Sequence, residues 1–454
     1  MIKVTLSQIA NITRGELFGD DLLIDAVSTD TRAIENDALF LAMVGERFDA
    51  HNFCQQAVDA GAGALLVQKR LDVNVPQVVV SDTKMALGEL ASWVHQTCQT
   101  PTVAITGSCG KTTVKEMVAS ILQLKGKVLF TAGNFNNDIG VPLTLLRSQQ
   151  DDDYAVIELG ANHIGEIAYT TQLVKPDIAL VNNVAAAHLE GFGSIDGVKQ
   201  AKGEIYQGLA AGSIAIVNLD SNGETKWESV LADKEVITFS QSNSVADYYA
   251  SNIVMNAAGE ASFHLHIAAS SQEIELSLGI IGQHNVANAI AASIIALQMG
   301  ATLEEVRAGL KHLNKVKGRV EVEALSEKIK LIDDSYNASV PAMKAAVDLL
   351  AAFPGQRWLI LGNMAELGEE SLALHRQVGE HAAPQKFEHV LTYGADAKVI
   401  SELCQGIHFE THQEMIEYIK QHLDQAVPEN HTILVKGANG ARMFEVAAAL
   451  KEYY

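Results

Sequence analysis

The segment Thr106-Gly107-Ser108-Cys109-Gly110-Lys111-Thr112-Thr113 follows an apolar run and opens a helical pattern at Val114. Glycines in that setting let backbone N–H groups curl toward an anion, and the helix N-terminus adds partial positive charge. Lys111 is placed to reach the outer phosphates of ATP, and Thr112 offers a hydroxyl to Mg²⁺. The usual pattern has a glycine five positions before Gly110, where this chain has Ile105, so the loop is a shortened variant. Glu158 directly follows the apolar run Tyr154 to Ile157, where a carboxylate would face the phosphate loop and suit a hard cation. A strand-end surface glutamate is the plainer alternative. His188, seven residues past the run ending at Val181, reads on its own as a packed loop histidine, and Lys202, in Gln200-Ala201-Lys202-Gly203-Glu204, as a solvated helix lysine.

Further along, Gly282-Gln283-His284-Asn285-Val286-Ala287-Asn288-Ala289 opens an Ala-rich helical stretch, with Asn285 and Asn288 three apart on one helical face. Helix capping by Asn285 is the simple account. Asp333 and Asp334 stand together at a strand end, ahead of Ser335, Tyr336 and Asn337. Lys436-Gly437-Ala438-Asn439-Gly440-Ala441-Arg442 follows the last apolar run, and its backbone or Arg442 could hold a carboxylate. Cys109 sits inside the phosphate loop, where modification of its thiol would block ATP; filling a small space is the equally simple reading.

The elements that must position these residues alternate between apolar runs and longer helical patterns, the signature of parallel α/β architecture. Ala38 to Val44, Ala64 to Val67 and Val78 to Val80 read as strands of a small first domain, with a helix over Cys54 to Ala60. A helical stretch from Asp82 to about Thr97 leads to the strand Thr102 to Ile105, which runs into the phosphate loop. Tyr154 to Ile157, Ile178 to Val181 and Ile214 to Val217 extend that sheet, and each ends in polar residues, where open parallel sheets place their ligands. Tyr248 to Leu278 alternates and predicts antiparallel strands, followed by a helix from Asn285 to Met299. Lys315-Val316-Lys317-Gly318-Arg319 reads as a linker. Beyond it, Lys330 to Ile332, Trp358 to Leu361, Val390 to Tyr393 and Thr432 to Val435 predict a Rossmann-like domain. The expected divisions are 1–82, 83–316 and 317–454.

The 454 residues carry 33 basic and 55 acidic side chains, a formal net charge of −22, which argues against nucleic-acid binding. Four widely spaced cysteines with no C-x-x-C pair suggest neither a zinc site nor a disulfide framework. The N-terminus has no long apolar core and no apolar stretch nears the length of a membrane span, so a cytoplasmic, non-membrane chain is expected, and a monomer.

The shortened phosphate loop resembles that of the Mur ligase superfamily, whose core reads Thr-Gly-x-x-Gly-Lys-Thr-Thr. The resemblance extends along nearly the whole chain. Ser28-Thr29-Asp30-Thr31-Arg32, Leu39-Phe40 and Gly45 to Phe53 are similar to the family's cradle for the UDP end of its substrate, which implies substrate contacts at Ser28, Thr29, Asp30 and Arg32. Asn134-Phe135-Asn136-Asn137-Asp138-Ile139-Gly140-Val141-Pro142 resembles its substrate-contacting loop, implying roles for Asn134, Asn136 and Asn137. Asp333 to Ala338 and Leu361-Gly362-Asn363-Met364-Ala365-Glu366-Leu367-Gly368 are closest to the branch adding D-alanyl-D-alanine, and the Asp-Asn-Pro-Arg motif of the branch adding the third amino acid is absent.

The resemblance implies three α/β domains: a small N-terminal one binding the UDP-linked substrate, a central P-loop NTPase-like parallel sheet with an antiparallel portion, and a C-terminal Rossmann-like domain that closes on ATP. It implies ATP contacts from Gly107, Ser108, Cys109, Gly110, Lys111, Thr112 and Thr113, and from His284, Asn285, Asn288, Arg319 and Asp334, although Asp333 remains open for the last role. It implies Mg²⁺ ligands at Thr112, Glu158 and His188, and at Lys202 after reaction with CO₂ to a carbamate, so that Lys111, Glu158, His188 and Lys202 form the catalytic set. Tyr336 and Asn337 would help hold the incoming dipeptide. The implied reaction joins D-alanyl-D-alanine to a UDP-linked muramoyl tripeptide through an acyl phosphate. A third-residue-adding ligase, a folylpolyglutamate synthase and a P-loop regulatory NTPase are the rivals, and the lack of an Asn-Lys-x-Asp motif speaks against a guanine-nucleotide switch. Whether the tripeptide ends in lysine or diaminopimelate is left open.

Overall fold

The computed structural model describes residues 1–45, 48–221, 224–313, 318–425 and 430–454. Residues 315–317 of the expected linker, and 46–47 within the expected UDP cradle, lie outside the described residues. Three larger sheets follow one another along the chain.

The first has five strands in the order Glu16–Phe18, Gln77–Val79, Ala64–Val67, Leu39–Leu41 and Val27–Ser28. All its pairings are parallel except that of Glu16–Phe18 with Gln77–Val79. The expected single strand from Ala38 to Val44 is divided: Leu39–Leu41 is fully buried in the sheet, while Val44–Gly45 pairs with Phe48–Asp49 as a separate exposed hairpin. The helix Thr83–Cys98 starts where the Asp82 carboxylate accepts from the N–H groups of Lys84 and Met85, satisfying donors that the first turn leaves free. Its apolar face, with Leu87, Leu90 and Val94, belongs to one core with Leu6 and Ile9 of the first domain and Leu145 and Ile157 of the second.

The central sheet has nine strands, ordered Val128–Phe130, Tyr154–Glu158, Thr102–Thr106, Ile178–Val181, Ile214–Asn218, Glu235–Ser240, Tyr248–Met255, Glu260–Ile267 and Gln272–Ile281. The first seven pair in parallel and the last two continue antiparallel. Every residue of Thr102–Thr106 is buried, as a strand covered on both faces requires, whereas Glu260–Ile267 alternates buried and half-exposed positions as one covered face requires. After Thr102–Thr106 the chain crosses to one side of that strand and later returns on the other, so a crevice opens at its carboxyl end. Two helices line the back of that crevice: Lys111–Leu122 and the almost wholly buried Asn285–Gln298, which pack together.

The third sheet is ordered Glu321–Ala324, Ile329–Asp334, His431–Lys436, Gln356–Gly362, His389–Tyr393 and Ile407–Phe409, parallel apart from its first pairing. One of its apolar clusters crosses to the central domain: Met364 and Leu367 pack in the same core as Leu189, Phe192, Val198 and Ala201.

Candidate active site

A cleft of roughly 510 Å³ opens between the carboxyl ends of the central and third sheets. One wall is the phosphate loop. Gly110 has φ +76, and a Cβ there would lie 2.5 Å from Asn288 Oδ1 and 2.7 Å from Asn182 Nδ2, so the turn admits only glycine. Lys111 Nζ donates to the Gly107 carbonyl at 2.8 Å. Burial pushes the Lys111 ammonium below its ordinary range and nearby Arg319 adds to this, while Glu158 opposes it. An anion entering the loop would relieve that penalty.

Glu158 is the last residue of its strand and is 1% exposed. Its carboxylate accepts from Thr112 Oγ1 at 2.9 Å and from Asn136 Nδ2 at 2.8 Å. This hydroxyl–carboxylate pair is the kind of hard oxygen set that Mg²⁺ takes. Among the described residues no group of three or more histidine, cysteine or acidic side chains is arranged to hold a metal by itself.

His188 lines the cleft from the N-terminal boundary of the helix Leu189–Phe192. Its Nδ1 is bonded to a Glu366 carboxylate oxygen from the third domain. Lys202 lies behind the cleft rather than in its lining. The side chain is 1% exposed, its ammonium stands 5.2 Å from the centre of the Phe192 ring, and no hydrogen bond or ion pair holds it among the described residues. Burial, with Lys111 second, holds that amine well below its ordinary range, against the pull of Glu166, Glu204 and Glu158. It is therefore not the solvated lysine that its local sequence suggests.

Behind the loop runs a chain of amides, of which the sequence alone singles out Asn285 and Asn288. Asn182 Nδ2 donates to the Cys109 carbonyl at 3.1 Å and to Asn288 Oδ1 at 2.9 Å. Asn288 Nδ2 donates to Asn285 Oδ1 at 2.9 Å, and Asn285 Nδ2 to the Ile281 carbonyl at 2.8 Å. Asn285 is thus buried behind the cleft and does not cap its helix, whose preceding residue is His284. Asn288 and His284 do line the cleft. Asn183 Oδ1 takes the Cys109 N–H at 2.9 Å. Polar residues after Val181 were the available signal for Asn182 and Asn183. Cys109 is gripped by these amides, and burial pushes its thiol up, away from the reactive thiolate.

The opposite wall comes from the third domain. Arg319 stacks over Tyr336, 4.3 Å from the ring centre, and both line the cleft. Strand alternation separates the two aspartates: Asp334 turns to the cleft and pairs with Lys436 Nζ at 2.6 Å, while Asp333 accepts from Ser335 Oγ at 2.5 Å and pairs with Lys451 at 3.3 Å. Asn337 lines the cleft and its carbonyl accepts from Lys436 at 2.9 Å. Arg442 is paired with Glu445 instead of facing the cleft. Asn134 and Asn136 line the cleft, but Asn137 does not; its Oδ1 accepts the Gly140 N–H at 2.7 Å and shapes the turn.

A second cavity, of roughly 520 Å³, lies in the first domain among Thr29, Asp30, Arg32, Phe40, Phe48 and Phe53. Arg32 makes a two-pronged ion pair with Asp30, at 2.9 and 2.7 Å, which lowers the Asp30 carboxyl to about 2. Phe48 and Phe53 stack with centres 5.3 Å apart and remain half-exposed. Ser28, expected as a substrate contact, is not in this lining; its Oγ donates to the Asp30 carbonyl at 3.0 Å and shapes the turn.

Three family descriptions match in succession: Mur ligase family, catalytic domain, over residues 23–95; Mur ligase middle domain over 105–296; and Mur ligase, glutamate ligase domain, over 318–439. The chain belongs to the Mur ligase family. It is 51% identical over 453 residues to the UDP-N-acetylmuramoyl-tripeptide–D-alanyl-D-alanine ligase of Escherichia coli, covering 100% of this chain and 99% of that one. It is 34% identical to the Bacillus subtilis protein of the same description, over 100% and 99% of the two chains. A crystal structure of MurF from Acinetobacter baumannii superposes with a TM-score of 0.94 at 34% identity, over 100% and 99% of the chains. MurF of Thermotoga maritima in complex with ADP shares the fold at a TM-score of 0.83 and 24% identity, over 94% and 97%. Glu366, inside the segment Leu361 to Gly368 and given no role there from sequence, lines the cleft beside His188.

Proposed function

We propose that this Mur ligase is an ATP-dependent carboxylate–amine ligase that joins D-alanyl-D-alanine to a UDP-linked muramoyl tripeptide in peptidoglycan precursor synthesis. The observation that carries the reading is the two-walled cleft, with Lys111, Thr112 and Glu158 facing Arg319, Asp334 and Lys436, in a chain 51% identical to a ligase of that description.

Residues 83–316 would hold ATP at the phosphate loop, with residues 317–454 closing over it and residues 1–82 taking the UDP end of the tripeptide. The second cavity supports the last assignment: its aromatic pair could stack on a planar base, with Arg32 near a diphosphate. Lys111 gives up its bond to Gly107 for the transferred phosphoryl group, and Arg319 adds a planar cation that remains charged. Thr112 and Glu158 would hold Mg²⁺, which when bound neutralises charge between two anionic reactants. Lys202 fits a carbamate site because a buried amine lacking a carboxylate partner favours its neutral form; that amine adds CO₂ and releases a proton, replacing an ammonium with an anionic oxygen donor. The γ-phosphoryl group passes to the tripeptide carboxylate, the dipeptide amine attacks the acyl phosphate, and phosphate leaves from a tetrahedral intermediate. Holding all three substrates across a closing cleft supplies orientation, a large part of such a rate enhancement.

The deciding assay follows phosphate release from ATP and Mg²⁺ with UDP-muramoyl tripeptide, with and without D-alanyl-D-alanine, together with the mass of the muropeptide. Release that needs both substrates, with a mass gain of one dipeptide, is expected. Release indifferent to the dipeptide would sink the reading. Bicarbonate-free buffer should lower the activity, and full activity in Lys202→Ala would remove the carbamate.

A further inference from the structure

Two residues with left-handed backbones meet across the junction of the central and third domains: His188 at φ +54 and Glu366 at φ +59. That region is unfavourable for a residue bearing a Cβ and persists where surroundings enforce it, which makes the coincidence informative. The Glu366 carboxylate is bonded to His188 Nδ1, and the Glu366 carbonyl accepts the Glu190 N–H at 3.1 Å. One short loop therefore holds the start of a single turn of the central domain at two points, His188 and Glu190.

The loop is itself anchored. The Met364 N–H donates to buried His375 Nε2 at 2.8 Å, and the His375 Nδ1 faces the Ser371 carbonyl at 2.7 Å. Asn363 accepts the Ala438 N–H at its carbonyl, 2.9 Å, and the Ala397 N–H at its side chain, 2.8 Å. Met364 and Leu367 pack with Leu189 and Phe192, so apolar contact seats the loop against the turn carrying His188. The carboxylate is delivered to the imidazole by a rigid support.

A carboxylate on Nδ1 selects the tautomer with the proton there and leaves the lone pair on Nε2. It also fixes the ring's orientation, as outer partners of functional histidines do. We propose that Glu366 is a positioning residue, contributed by the third domain, that sets His188 for its work in the cleft once that domain is docked. The inference rests on the reading of the cleft as the site of ligation. It makes the central domain's chemistry contingent on closure.

The test uses the full-length chain with histidine ¹⁵N label, and a His188→Gln variant to identify the His188 resonances. With the nonhydrolysable ATP analogue and Mg²⁺ present, the parent should show His188 protonated at Nδ1 and unprotonated at Nε2. Glu366→Ala should abolish that signature and lower kcat by about tenfold or more while the KM for ATP moves less than about twofold, and Glu366→Gln, which keeps an acceptor oxygen, should recover most of the loss. An unchanged His188 signature in Glu366→Ala would overturn the proposal, as would a Glu366→Gln variant impaired as badly as Glu366→Ala. The resonance arm needs no turnover, so a chain that failed to ligate the dipeptide would fail the proposed function while the spectra still decided the positioning role.

Discussion

Gly110 shows how tightly single residues are specified in the phosphate loop. Alanine there would have to hold φ +76 and drive a methyl group against Asn288 and Asn182. Gly110→Ala should raise the KM for ATP by about tenfold or more, the equivalent of ~1.4 kcal/mol of binding, measurable by steady-state kinetics; an unchanged KM would show that the loop is remodelled at no cost. The aspartate pair makes the complementary point. Asp334→Asn should weaken ATP use, since its carboxylate faces the cleft beside Lys436, whereas Asp333→Asn should leave the KM for ATP within about twofold and lower the unfolding temperature, because Asp333 serves Ser335 and Lys451. Sequence could not choose between these neighbours, because strand alternation settles their directions only when the strand's register is known. The phosphate loop and Glu158 were legible because their chemistry is local. Glu366 was not, since its partner His188 stands 178 positions away, and Lys202 looked solvated because nothing nearby in sequence reveals the packing that buries it.

At the scale of elements, the helix Thr83–Cys98 carries a titration that its hosts must sustain. His95 is 2% exposed, with Nδ1 against Ser148 Oγ at 2.9 Å and Nε2 against Thr102 Oγ1 at 3.0 Å. Burial pushes it down to about 4, against the weaker pull of Asp177 and Asp152. An unfolded histidine, near 6.5, takes up its proton first. The contribution is therefore complete above about pH 6.5 and lost as pH falls toward 4, with a ceiling near ~3 kcal/mol. Urea unfolding at pH 7 and pH 4.5 should show the decline, and His95→Gln should flatten part of it; an identical decline in that variant would discard the assignment. His389, lowered to about 4 by burial and by His422 and His431, acts in the same direction in the third domain. The long fully buried strands were readable as apolar runs. Val128–Phe130 and Ile407–Phe409 escaped because they are short edge strands with little buried apolar surface, and Glu235–Ser240 because its exposed glutamate and valine hide a buried half.

For the whole molecule, the two cavities share no lining residue. Changes at one should therefore leave ground-state binding at the other alone, as expected of separated sites. Arg32→Ala should raise the KM for the UDP-linked tripeptide by about tenfold while the KM for ATP stays within about twofold; a matching rise in both would mean that the first domain reaches the cleft. The central sheet has a polarity of its own. The cleft lining contains residues from the carboxyl ends of its parallel strands and none from the connections 99–101, 125–127, 151–153 and 175–177 that enter those strands. One rim is committed to chemistry and the other is architectural. An engineer who wished to splice in a fluorophore-binding tag or open new chain termini would start on the amino-end rim, at exposed Leu124 and Lys125 ahead of the bonds that tie Lys127 to Asp153, whereas the same operation a strand's length away would dismantle the enzyme.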